Sequence, residues 1–307
     1  MKKYRPEGIL IDTKQNKKYT ESMNGLRECF FTEKILEAKV ALCDNEHNLH
    51  VDLGIMEGII PREECAMGIS DGTVRDIAIV SRVNKPVCFK IVDFMDDELG
   101  NRTAILSRRQ VQEECMENYI KNLSPGDVVE ARVTHNETFG SFCDIGCGIS
   151  ALLPIDSISV SRIPHPNVRF SVNTMIKAVV KSIDSLGRVT LSLKELLGTW
   201  EENASNFKAG QTVGGIVRSI ERYGVFIELA PNLAGLAEYT DEVEEGDSAS
   251  VYIKSINPEK MKIKLSIVDS FPEKGKPTPI KYYSDESHIE SWQYSPIVCD
   301  KIIESVF

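Results

Sequence analysis

The chain has 307 residues, 42% hydrophobic and 27% charged, which supplies enough apolar material for several compact cores and excludes global disorder. Its 46 acidic residues outnumber its 36 basic ones for a formal net charge of −10, which excludes a nucleic-acid binder that works by bulk positive charge. No stretch approaches the roughly 20 apolar residues of a membrane span, and MKKYRPEGIL has no apolar run after its basic residues, so a cytoplasmic protein with no membrane partner is expected.

Residues 1–32 form an N-terminal extension without a readable pattern. Residues 34–61, KILEAKVALCDNEHNLHVDLGIMEGIIP, then alternate like strands: one through Val40, one over Val51-Asp52-Leu53-Gly54, one at Gly58 to Pro61. Val87 to Val92 and Ala104 to Ser107 supply a return and a closing strand, giving a first domain over 33–109. Arg108 to Asn122 has apolar residues at mixed three-to-four spacing, which predicts a short helix and places a helical linker at 110–123.

From Ser124-Pro125-Gly126 the pattern restarts. Residues 126–152 read GDVVEARVTHNETFGSFCDIGCGISAL and residues 210–236 read GQTVGGIVRSIERYGVFIELAPNLAGL. In one register and with no gap, Gly126 meets Gly210, Val133 meets Val217, Phe139 meets Tyr223, Gly140 meets Gly224, Phe142 meets Phe226 and Leu152 meets Leu236. Such self-similarity marks a repeated unit. Each copy continues into a return strand, Lys177 to Ile183 and Ser250 to Ile256, and a closing strand, Val189 to Leu193 and Ile263 to Ile267. Glycines inside the strand pattern at Gly140 and Gly224 permit the sharp bend of a small barrel. The boundaries read as domains at 124–194 and 208–269, a second helical linker at 195–207 within Lys194 to Phe207, and a C-terminal extension at 270–307. That extension opens on the proline-broken FPEKGKPTP as a linker and ends in HIESWQYSP and KIIESVF, two strands around a turn.

The run G-D/Q-x-V, a later F/Y-G-x-F-x-D/E-I/L and an L-S-L/I closing strand resemble the S1 RNA-binding domain family, over about 124–194 and 210–268. Residues 33–109 look like a divergent third copy, with Val51 to Gly54 matching Cys143 to Gly146 and with His47 and His50 in the aromatic positions. The resemblance implies an all-β fold class: tandem five-stranded OB-type barrels joined by short helices, with RNA crossing an exposed strand face. It also implies where the RNA site lies. Phe139, Phe142, Tyr223 and Phe226 would stack on bases. On a regular strand residues three apart face opposite ways, so the glycine between them must turn the chain if both rings are to face RNA. The family's histidine after the third strand is replaced by Pro154 and Glu238. Its aspartate and arginine before the last strand match Asp184 and Arg188, whereas Asn257 and Lys262 stand there in the last domain. Asp184 also suits a turn-capping role, because Asp bonds its own backbone in such turns. A loop between the third and fourth strands, SVSRIPHPNVRF, adds Arg162, His165 and Arg169 as further RNA contacts.

No catalytic motif is present: there is no P-loop, GxSxG or HExxH, and the five histidines have no metal spacing. The eight cysteines, Cys29, Cys43, Cys65, Cys88, Cys115, Cys143, Cys147 and Cys299, form no CxxC pair, and acidic runs such as Asp96-Asp97-Glu98 and Glu242 to Asp247 read as solvated faces. The expectation is a non-enzymatic protein without cofactor or metal. Its implied partners are single-stranded RNA, mRNA in particular, and the small ribosomal subunit, in a translation role like that of ribosomal protein S1. RNA decay or transcription regulation, and protein docking through the divergent first barrel, are the alternatives.

Overall fold

The computed structural model describes residues 4–96, 102–274 and 279–307. Two short helices, α1 (Lys14–Thr20) and α2 (Met23–Phe31), come first. Both are started by hydroxyl caps: Thr13 Oγ1 accepts the Asn16 N–H at 3.2 Å and Ser22 Oγ that of Gly25 at 3.0 Å. The first barrel contains β1 (Leu36–Cys43), β2 (Leu49–Asp52), β3 (Glu57–Ile60), the helical turn α3 (Ile77–Val80), β4 (Pro86–Asp96) and β5 (Arg102–Ser107). Its alternate inward residues, among them Val40, Val51, Phe89 and Leu106, pack into one core that Leu26 and Cys29 of α2 complete. The N-terminal extension is therefore structural. Its apolar stripe is only a few residues long, too short for periodicity to show it.

Helix α4 (Arg109–Asn118) and a 3-10 turn over Ile120–Asn122 fill the first predicted linker helix. The middle barrel is built from β6 (Val128–Glu137), β7 (Gly140–Gly146), β8 (Ile149–Pro154), β9 (Met175–Ile183) and β10 (Val189–Ser192). A 3-10 turn at Lys194–Leu197 and α5 (Trp200–Ala204), separated by Gly198 at φ +82°, form the second linker. The last barrel comprises β11 (Thr212–Glu221), β12 (Gly224–Ala230), β13 (Leu233–Ala237), β14 (Asp247–Asn257) and β15 (Lys262–Lys274). All three sheets close on themselves. In each, the third and fifth strands pair in parallel, as at Gly58 and Ala104, Leu152 and Thr190, and Leu236 and Lys264, so that the meander of three strands is sealed by a long crossover. These are five-stranded OB-type barrels.

The chain divides into two compact units, residues 1–123 with 144–150, and residues 124–143 with 151–307. Within the second, the C-terminal extension is packed rather than free. The Tyr282 hydroxyl accepts the Lys177 N–H at 2.9 Å, His288 meets Asp127 at 2.8 Å, and Trp292 and Tyr294 are buried. Strands β16 (Ser291–Gln293) and β17 (Glu304–Val306) pair antiparallel, as the two terminal runs suggested. The start of the tail differs from expectation: Phe271 to Lys274 are the end of β15 and not linker. Pro272 is tolerated there because the register shifts between Asp247 and Ser248 of the opposite strand, where a ladder N–H is dispensable. Asp97, Glu98 and residues 275–278 of the anticipated linker lie outside the described residues. Among the described residues no helix is long and apolar enough to cross a membrane.

Candidate nucleic-acid interface

In both repeats the first aromatic lies in a turn and not on a strand. β11 closes at Glu221 opposite Gly224, so Arg222 and Tyr223 are the two residues of a tight hairpin. β6 likewise ends at Glu137 and β7 begins at Gly140, leaving Thr138 and Phe139 in the turn. The alternation that would separate residues three apart therefore never applies to these pairs. The glycine that follows is required by space: a Cβ on Gly140 would strike the Leu153 carbonyl and come within 2.9 Å of Pro154 Cα, and one on Gly224 would strike the Ala237 carbonyl. The neighbouring strand crosses directly over both positions.

The result is a matched pair of aromatic platforms. Phe139 and Phe142 stand edge to face with ring centroids 6.0 Å apart at 86°, and Tyr223 and Phe226 at 6.0 Å and 88°. Phe139 is 54% exposed and Tyr223 68%, while Phe142 and Phe226 are half-buried. The edge-to-face geometry is the favourable one for two rings, so each pair holds its own shape and leaves an open ring face. The barrel cores beneath are filled by Cys143, Ile145, Val225 and Ile227, all buried, so none of the four rings is needed to fill them.

Across the last barrel the register runs Ser219, Phe226, Leu236, Lys264, Ser255 in one row. Lys264 is exposed and shares this row with the ring, a placement the sequence reading missed by choosing Lys262 alone. Parity was the available signal: Ile263 and Leu265 face the core, so Lys262 and Lys264 both face out. Lys262 sits at the strand end opposite Asn257. Glu238 pairs with Lys254 at 2.7 Å, and that hydrogen bond holds its carboxyl below the usual range.

Asp184 caps its turn. Oδ1 accepts the N–H groups of Leu186 at 2.9 Å and Arg188 at 2.8 Å, and Oδ2 accepts Arg188 Nε at 2.6 Å, bonds from Arg188 first among them that lower its pKa. The Arg188 side chain remains 76% exposed and is aimed by this contact.

The basic loop is divided in its placement. Arg162 is exposed. His165 is half-buried, and its Nδ1 accepts the Asn167 N–H at 3.1 Å to start a 3-10 turn at Pro166–Val168. Arg169 is not on an open surface: it is 5% exposed and forms a two-pronged ion pair with Glu228, both bonds 2.6 Å. The sequence showed its charge but not the acid, far along the chain, that takes it.

Among the described residues the β1–β2 hairpin of the first barrel carries no Phe or Tyr pair; its ring contact, Phe30 with Phe94 at 5.8 Å, lies between α2 and β4. His47 occupies a left-handed turn position at φ +66°, and His50 on β2 is held between Glu57 at 2.6 Å and Asp44 at 3.2 Å. Burial alone would lower its pKa, but these two carboxylates outweigh burial and raise it.

Residues 123–194 match the S1 RNA binding domain family. The chain is 27% identical over 316 residues to small ribosomal subunit protein bS1 of Staphylococcus aureus (strain COL), covering 96% of this chain and 78% of that one. It is 29% identical over 271 residues to the bS1 homolog of Bacillus cereus (strain ATCC 10987 / NRS 248), covering 83% and 68%. A solved multidomain protein with nucleic acid binding domains from Streptococcus pneumoniae TIGR4 aligns over 77% of this chain and 73% of its own at 13% identity and a TM-score of 0.26. The chain thus carries an S1 RNA-binding domain, set among tandem barrels of the same architecture, and resembles bacterial ribosomal protein S1.

Proposed function

We propose that this protein binds single-stranded RNA without catalysing a reaction, stacking bases on Phe139 and Phe142 and on Tyr223 and Phe226. Arg188, Arg162, Lys262 and Lys264 meet the phosphates beside them. The observation that carries this reading is the recurrence of one ring geometry, edge to face at 6.0 Å, on the same exposed corner of two barrels. Stacking on such rings is tolerant of sequence and suits unstructured RNA. It also suits an acidic protein, because it does not depend on many phosphate contacts.

The likeness to bS1 over most of the chain supports a role in translation, in which the protein holds mRNA near the small ribosomal subunit. Crosslinking in cells with sequencing of the bound RNA, together with sedimentation of the same lysate, tests it. The expected result is recovery of mRNA and co-sedimentation with the small subunit. Recovery of decay intermediates without ribosomal association would place the same RNA binding in another process.

A further inference from the structure

The second compact unit contains a contact that joins its two barrels. Glu228 lies two residues beyond Phe226 on β12, with core-facing Ile227 between, so its side chain leaves the barrel on the same face as the Phe226 ring. It is 3% exposed because two arginines cover it: Arg169 from the middle barrel's loop, and Arg218 from β11 at 3.0 Å. Arg169 also reaches Ser159 Oγ at 3.1 Å and the Pro231 carbonyl at 3.3 Å. A second buried residue repeats the attachment. Asn232 accepts the Val160 N–H at 3.0 Å and donates to the carbonyls of Lys194 and Gly198 at 2.8 and 2.9 Å. The loop is thus pinned to the last barrel at Val160 and again at Arg169, and exposed Arg162 lies between the pins.

We propose that the last barrel's RNA face is completed by the middle barrel, whose Arg162 meets the phosphates of a single strand stacked on Tyr223 and Phe226. Glu228 is the positioning residue: a guanidinium fork on a carboxylate fixes both distance and orientation, and one rise of two residues along β12, about 7 Å, separates that anchor from the ring. The chemistry recognised is the sugar-phosphate backbone and not a base, since a cation beside a stacking platform reads charge.

This inference rests on the RNA-binding reading, and full-length double-aromatic variants separate the two. Phe139→Ala with Phe142→Ala leaves only the last face; Tyr223→Ala with Phe226→Ala leaves only the middle one. In the first background Arg162→Ala should weaken an unstructured RNA about two- to fivefold, as for an exposed charge contact. It should also reduce the salt slope by about 0.7. In the second background it should change neither. Glu228→Gln should reproduce the first loss and add nothing when combined with Arg162→Ala, whereas a residue acting independently would add its own. If Glu228→Gln does not fold, the Arg162 arms decide alone, since that side chain is exposed. Loss confined to the second background, or absent from both, overturns the proposal while leaving RNA binding intact; a wild-type chain that binds no RNA overturns both.

Discussion

Whether an aromatic side chain stacks on RNA or fills a core is decided at single positions, and the four rings here are separable from the cores beneath them. Phe142→Ala or Tyr223→Ala should each weaken RNA binding by about 1–3 kcal/mol with little change in thermal stability. A sharp fall in melting temperature with unchanged affinity of the folded fraction would make them core residues instead. The motif's acidic position, two residues after the second ring, was legible as a residue type but not as a role. Glu228 and its counterpart Asp144 are both 3% exposed, and Asp144 accepts N–H bonds from Glu7 at 2.7 Å, Gly146 at 2.8 Å and Gly148 at 3.0 Å. Both are anchors, identified only once their distant partners are in place. Burial pushes Asp144 up to about 7 and Glu37, whose Oε2 accepts three N–H groups from residues 8–11, also up to about 7. A carboxyl with a raised folded-state pKa resists ionising in the fold, so stability declines as pH rises from the unfolded value through 7. The raised pKa of His50 acts in the same direction. Calorimetry should therefore show a lower melting temperature at pH 8 than at pH 6, with a smaller difference in Glu37→Gln; an unchanged difference would remove Glu37 from that account.

At the level of elements, the strands of all three barrels follow from period-two alternation, because a half-buried strand must put every second residue in the core. What alternation could not show was the turn placement of Phe139 and Tyr223. It also missed the extension of β15 through Pro272 and the packing of α2 on the first core. The last two depend on neighbours distant in sequence, whereas the hairpin turn is set locally, by the pairing of Glu221 with Gly224 in the last barrel. The hairpin gives a test at this scale. Gly140→Ala forces a Cβ into the Leu153 carbonyl, so it should cost about 1–3 kcal/mol of stability. It should also weaken RNA binding although no ring is removed, because the turn that carries Phe139 must shift. Retention of full affinity in Gly140→Ala would show that the turn geometry does not position the ring.

For the whole molecule, the net charge of −10 and the RNA-binding reading are reconciled by the kind of contact made. A protein that grips by stacking and neutralises few phosphates should show a shallow dependence of log affinity on log salt, about −1 to −3 at roughly 0.7 per phosphate. The most direct measurement is fluorescence anisotropy with an unstructured RNA across a salt series, comparing the wild-type chain with one carrying Phe139→Ala, Phe142→Ala, Tyr223→Ala and Phe226→Ala. The account predicts wild-type binding with that shallow slope, and loss of nearly all affinity in a variant that still folds. Undiminished binding by the four-ring variant, or a wild-type slope steeper than about −5, would contradict it, because the RNA would then be held by charge and not by the rings.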